Sequence, residues 1–119
     1  MNEIINNIMD RRSVRNYTEE KVSREILDQL LEVAVWSPNA GNKQRTRIVV
    51  SQDVELNTRL GRAQNVVYGQ FNGGQKIELN DELIATTSRS GFYNAPTVIY
   101  LFAPNRFQNN CHTVDSYSV

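Results

Sequence analysis

Apolar side chains recur at helical spacing through the first third of the chain. Ile4, Ile5, Ile8 and Met9 form a stripe that predicts a short helix over residues 2–10. Arg11 and Arg12 close it, because cations are favoured at the negative end of the helix dipole. Residues 13–17 are then expected to be an exposed, extended connection. Ser23 is suited to cap a second helix, and Ile26, Leu27, Leu30, Leu31, Ala34 and Val35 continue behind it with a helical period. That helix is predicted over about residues 24–36, with Trp36 at its end in the core. Ser37-Pro38-Asn39-Ala40-Gly41-Asn42 stops it, since a proline disfavours helix at the residue before it and Asn and Gly accept turn geometry.

Beyond the turn the period changes. Ile48, Val49 and Val50 are a short β-branched run that reads as a buried strand. Asp53 can cap a third helix carrying Val54, Leu56, Leu60, Ala63, Val66 and Val67. Residues 69–94 hold few large apolar side chains and read as loop with one helical turn, and long excursions of this kind in compact domains are often functional. Residues 97–102 (TVIYLF) are the second strong strand, entered just after Pro96. Residues 104–112 read as loop, and a further helix is expected to open at Thr113. Two strands among this many helices make an incomplete sheet, so further strands are expected from additional chain or from a partner.

Composition narrows the possibilities. A length of 119 residues suits one domain. Thirteen basic residues balance thirteen acidic ones, so no net charge points to nucleic acid or to an anionic membrane as partner. No apolar run approaches the roughly 20 residues needed to span a bilayer, and the first twelve residues lack the pattern of a signal peptide. Cys111 is the only cysteine, which leaves no internal disulfide framework. These features favour a cytoplasmic protein. The mean hydropathy of −0.50 is polar for a compact enzyme, and one reading of it is that apolar chain is missing.

Two short segments carry candidate chemistry. In an extended Arg11-Arg12-Ser13-Val14-Arg15, side chains alternate, so Arg11, Ser13 and Arg15 can share a face with Arg12 opposite. Two guanidiniums and a hydroxyl in one place suit a phosphate monoester. Taken alone, the segment equally describes a solvated basic helix end. In Ser37-Pro38-Asn39-Ala40-Gly41-Asn42-Lys43-Gln44, small residues allow close backbone approach to a flat ligand. Asn42 and Gln44 offer both donors and acceptors, as the mixed edge of a heteroaromatic ring requires. Taken alone, this is also an ordinary helix-to-strand turn.

In this order and spacing, and followed by Ala95-Pro96-Thr97-Val98-Ile99, the segments resemble the nitroreductase family of FMN-dependent NAD(P)H oxidoreductases. Arg11 to Tyr17 is similar to the family's R-R-S-x-R-x-[FY] stretch and Ser37 to Gln44 to its S-P-S-x-x-N-x-Q loop, and the likeness extends over about residues 2–117. It implies an α+β fold with helices around a central mixed sheet, incomplete in this chain, and a single truncated FMN-binding domain over residues 1–119. It further implies that Arg11, Arg12, Ser13 and Arg15 hold the FMN phosphate and ribityl chain. Pro38, Asn39, Ala40, Asn42 and Gln44 then approach the flavin, often across a homodimer interface in this family. Asn65 and Asn72 are both candidates for a further flavin contact.

The implied reaction is ping-pong hydride transfer from NAD(P)H, through FMN, to a nitroaromatic, quinone or similar small acceptor. It needs no side-chain nucleophile or acid–base residue, and none is assigned. Two departures stand out: Arg45-Thr46 where the family has Pro-Trp, and an end at Val119 where members continue into a long central helix. The competing reading is an inactive truncated remnant, flavin-binding or structural, that needs a partner chain; a chance match to an unrelated ligand-binding module is a third. Cys111 and His112 lack the further ligands of a metal site, and no metal is expected. Tyr68, Phe71, Phe92 and Tyr93 are read as core or rim packing in preference to a cover for the flavin.

Overall fold

The computed structural model describes residues 1–71 and 78–102, with no side-chain description for residues 40 and 68–71. The elements run α1 (Glu3–Asp10), α2 (Arg24–Trp36), a 3-10 turn (Ala40–Asn42), β1 (Arg47–Ser51), α3 (Val54–Phe71), α4 (Asp81–Thr86) and β2 (Val98–Phe102). The architecture is α+β, as the sequence implies. The predicted loop, residues 104–112, the helix expected from Thr113, and Asn72, Cys111 and His112 all lie outside the described residues.

Each helix begins where a short polar side chain can satisfy a free amide. Asn2 Oδ1 accepts from Ile5 N–H at 3.0 Å, Ser23 Oγ from Ile26 N–H at 3.3 Å, Asp53 Oδ1 from Leu56 N–H at 3.1 Å, and Asn80 Oδ1 from Leu83 N–H at 2.8 Å. At the far end of α1, Arg12 Nη1 donates to the Met9 carbonyl at 3.2 Å and the Arg11 carbonyl at 2.9 Å. The expected cationic closure is therefore real, and it occupies the Arg12 side chain. The short helical piece expected within residues 69–94 is α4, capped by Asn80 and tied to α3 by the Arg59–Asp81 ion pair. The departure is at the start of that stretch, where helix α3 continues to Phe71.

The two strands pair antiparallel, with Val49 opposite Tyr100 and Ser51 opposite Val98. Among the described residues they form the whole sheet, and this corrects the reading of residues 48–50 as a buried strand. Val49 is 48% exposed, because no described element covers that face of a two-stranded ribbon. Trp36, assigned to the core from its place at the end of α2, is 83% exposed for the same reason. Ile4 and Ile8 on α1 and Val33 on α2 are exposed as well. Among the described residues Leu27 is the buried apolar side chain.

Polar groups do much of the joining. Asn57 on α3 is 2% exposed. Its Nδ2 donates to the Ser51 carbonyl (3.0 Å) and the Pro96 carbonyl (3.5 Å), while Oδ1 accepts from the Tyr100 hydroxyl (2.9 Å). One carboxamide thus links the end of β1, α3, the entry to β2 and β2 itself. Next to it, Gln52 Nε2 donates to the Val22 carbonyl (2.7 Å) and Thr97 Oγ1 (3.0 Å), and Val22 N–H donates to the same Thr97 oxygen (3.2 Å). This second knot holds the chain ahead of α2 to the end of the sheet.

The turn before β2 packs on α3 through two glycines. Gly91 N–H donates to the Gly61 carbonyl at 2.8 Å. A Cβ on Gly61 would overlap Ser90 Oγ and press on the Phe92 ring, and one on Gly91 would overlap the Gln64 side chain. Gly61 therefore has no room for a side chain against Ser90 and Phe92, whereas at Gly91 the flexible Gln64 side chain would have to swing away and the Gly61 carbonyl lies close behind. Phe92 then lies edge-on to Tyr100, with centroids 5.8 Å apart at 76°.

Asn57→Ala strips partners from two carbonyls and a phenol, and should lower unfolding free energy by about 3 kcal/mol. Urea denaturation measures this, and a loss no greater than that of an exposed Asn→Ala control would contradict the role given to Asn57. Burial also pushes the Tyr100 phenol above its ordinary value of 10.0. The native state therefore holds this proton more tightly than the unfolded chain. The resulting stability is complete below about pH 10 and is lost as pH rises through the folded value. Ultraviolet titration should show one late-ionising phenol that is missing in Tyr100→Phe.

Candidate functional site

Residues 11–17 run without regular structure and exposed between α1 and α2. Arg12 folds back onto the end of α1, its Nη1 donating to the Met9 and Arg11 carbonyls, and Arg11 lines neither of the grooves that Ser13 and Arg15 reach. Ser13 and Arg15 line a groove of about 500 Å3 whose other wall is the turn and strand start at residues 91–99, including Phe92, Tyr93 and Ile99. The Tyr17 hydroxyl donates to the Val14 carbonyl at 3.1 Å, which curls the end of the segment. Arg15 also reaches a second groove of about 440 Å3, where it meets Arg89 and Asn94. Tyr93 borders both grooves.

The second candidate segment is a compact loop. Ser37 is extended (ψ 141°), as a residue before proline should be, and its N–H caps α2 by donating to the Ala34 carbonyl at 3.1 Å. Asn39 is its organiser: the Asn39 carbonyl accepts from Asn42 N–H at 2.9 Å and its Oδ1 from Gln44 N–H at 2.9 Å. Gly41, Asn42 and Gln44 adopt φ of 61°, 52° and 49°. Left-handed backbone at Gln44 costs of order 1 kcal/mol and persists because Asn39 holds it. Pro38, Asn42 and Gln44 are exposed and Asn39 is half-buried, while Ala40 contributes backbone to the 3-10 turn.

Among the described residues, no hydrogen bond or ion pair joins residues 11–15 to residues 37–44. Ser13 and Arg15 are brought together, and the 37–44 loop stands as a separate, self-bonded unit. Asn65 is half-buried on α3. The side chains of Tyr68 and Phe71 lie outside the described residues. Arg89 and Asn94 were not singled out from the sequence, where no spacing marks them; left-handed backbone at Tyr93 and Asn94 (φ 53° and 57°) is what turns the chain there. No group of three or more His, Cys, Asp or Glu side chains among the described residues could hold a metal ion. No described helix is long and apolar enough to cross a membrane.

Comparison with known proteins gives this geometry a context. A family model described as the nitroreductase family matches residues 8–117. Over 60 residues, half of this chain and 24% of the relative, the sequence is 38% identical to an FMN reductase (NAD(P)H) of Bacillus subtilis. The fold is similar to an FMN-dependent nitroreductase from Clostridium difficile, with a TM-score of 0.71 and 28% identity over 98% of this chain and 51% of that one. It is also similar to a nitroreductase with bound FMN from Bacteroides fragilis, with a TM-score of 0.73 over 99% of this chain and 60% of that one. At 16% identity the latter speaks to fold alone. The chain therefore spans about half the length of the related structures.

Asn39→Ala releases the Gln44 amide. Hydrogen exchange at Gln44 should quicken by about tenfold, the equivalent of one hydrogen bond, while Asn39→Asp keeps the acceptor and the slow exchange. Equal exchange in all three proteins would mean that Asn39 does not hold the loop.

Proposed function

The chain belongs to the nitroreductase family, and from that premise we propose that it is the FMN-binding part of an FMN-dependent oxidoreductase. The observation that carries this reading is the groove in which Ser13 and Arg15 face the turn at residues 91–93. Its donor set fits the group. Ser13 and Arg15, which line the groove, make no side-chain hydrogen bond or ion pair with other described residues, so their donors are available to a phosphate and a polyhydroxyl chain; Arg11 is equally unpaired but lines neither groove. Arg12, bound to α1, would contribute charge without direct contact unless it leaves its cap.

On this reading, residues 37–44 supply the backbone and amide edge that meet the ring. They lie in a separate unit, and a homodimer in which one protomer's 37–44 loop completes the partner's groove would join the two halves. The exposed apolar faces of α1 and α2, Ile4, Ile8, Val33 and Trp36 among them, support such an assembly, since apolar patches of this kind mark association surfaces. Bound FMN would supply two-electron chemistry, so that NAD(P)H and a nitroaromatic, quinone or similar small acceptor use one site in turn. The protein's part is to position and exclude water, and no side chain is assigned a proton-transfer role. A cytoplasmic location belongs to the same reading.

A second reading has a specific observation behind it. The exposure of Trp36 and the α1 stripe also suits a flavin-binding or structural unit without turnover that needs a different partner chain. Absorbance after FMN addition and desalting, with mass by light scattering, tests FMN binding and assembly, and bleaching of the retained flavin by NAD(P)H separates the two. Near one retained FMN per chain on a dimer is the expected result, with the FMN dissociation constant raised on the order of a hundredfold by Ser13→Ala with Arg15→Ala if each charged contact contributes about 1.5 kcal/mol. A folded but colourless protein would overturn the FMN-binding proposal.

A further inference from the structure

We propose that the groove between residues 15–16 and 88–94 is an oxyanion site in which Arg89 acts with Arg15 on a phosphate monoester. The groove, about 440 Å3, is lined by Arg15, Asn16, Ser88, Arg89, Tyr93 and Asn94, together with the buried Ser90. Each of these side chains can donate a hydrogen bond, and no carboxylate lines the groove. Among the described residues two arginines are ion-paired, Arg24 with Asp28 at 2.8 Å and Arg59 with Asp81. Arg15 and Arg89 make no ion pair or hydrogen bond among the described residues. Two like charges gathered at one groove repel each other, and an anion between them turns that repulsion into attraction.

The backbone that carries Arg89 is already fixed. Ser90, its neighbour, is 6% exposed, and Ser90 Oγ accepts from Phe92 N–H at 3.2 Å. Gly91 N–H is bonded to Gly61 and Tyr93 N–H to the Ser90 carbonyl at 3.1 Å. On this wall little has to be ordered besides the Arg89 guanidinium when a ligand arrives, which favours binding. Two guanidinium forks with hydroxyl and amide donors offer more hydrogen bonds than the two oxygens of a carboxylate can accept. Three terminal phosphate oxygens match them better.

The adjoining groove, which shares Arg15 and Tyr93 and includes Val14 and Phe92, would take the organic part of the ester. Two sources have this chemistry: the FMN phosphate, which rests on the function proposed above, and the 2′-phosphate that distinguishes NADPH from NADH, which does not.

The test is calorimetric titration of the full chain and of Arg89→Ala and Arg89→Lys with FMN, riboflavin, NADPH, NADH and inorganic phosphate. Arg89 is exposed and bonded to no described residue, so the variants should keep the wild-type circular dichroism and melting temperature. The expected result is a loss on the order of tenfold in Arg89→Ala for a phosphate-bearing ligand, as for one charge-assisted hydrogen bond, with Arg89→Lys between. Collapse of the FMN–riboflavin difference assigns the flavin phosphate; collapse of the NADPH–NADH difference assigns the nucleotide phosphate. Failure of wild type to bind FMN removes the flavin reading, and the groove is then judged by NADPH and inorganic phosphate. Unchanged affinities in Arg89→Ala overturn the proposal even if FMN binds, and so does a wild-type chain that binds neither NADPH, FMN nor phosphate.

Discussion

The buried carboxamide of Asn57 is the constraint on which the described structure turns. A carboxamide removed from water must place both its donors and its acceptor, and Asn57 does so on three different pieces of chain. The carbonyls of Ser51 and Pro96 require the nitrogen to face them, and the Tyr100 hydroxyl then meets the oxygen. That arrangement fixes where α3 leaves the sheet, where the chain enters β2, and how β2 lies against the helix. With Leu27 the buried apolar side chain among the described residues, burial of hydrocarbon gives the register little help. A directional polar contact specifies it instead, at the risk that any loss leaves several groups unsatisfied together.

From that hub the rest of the candidate site is placed by short steps. The Gln52–Thr97–Val22 knot lies one residue from Ser51 and Pro96 in sequence, and it pins the chain between residues 17 and 24 to the end of the sheet. Residues 13–15 are therefore delivered alongside residues 91–99 without a contact of their own. On the other wall, the Gly61–Gly91 contact and buried Ser90 set the turn that displays Arg89 and Tyr93. The grooves are built from segments with little internal structure, held by polar contacts a few residues away. Exposed donors can then face a ligand while the backbone stays in place.

The apolar faces pose the opposite problem. Helix α1 is amphipathic, yet Ile4 and Ile8 are both 70% exposed, and Trp36 at the end of α2 is more exposed still. Capping and hydrogen bonding define these helices well enough to form, but they cannot bury a stripe without a surface to receive it. The chain is thus specified locally at both ends of α1 and α2, while the apolar stripe of α1 and much of that of α2 stay exposed, Leu27 being the side chain of α2 that is buried.

Local signals determined a good deal. The caps Ser23 and Asp53, the stop at Ser37-Pro38, the two β-branched runs and the cationic end of α1 are all readable because each acts within a few residues. The same is true of the two ordered motifs whose family the comparisons bear out. Tertiary structure decided what depends on distant chain. Helix α4 needs α3 beside it. Val49 and Trp36 look like core in sequence but lie exposed, because burial belongs to neighbours and not to the residue. Asn57 and Thr97 carry no local mark of the bonds that make them hubs. Arg89 joins Arg15 across 74 residues only because a glycine contact and a buried serine turn the chain toward it. Sequence sets propensities over a turn or two, whereas the partners of a buried or charged group are fixed only when the whole chain is in place.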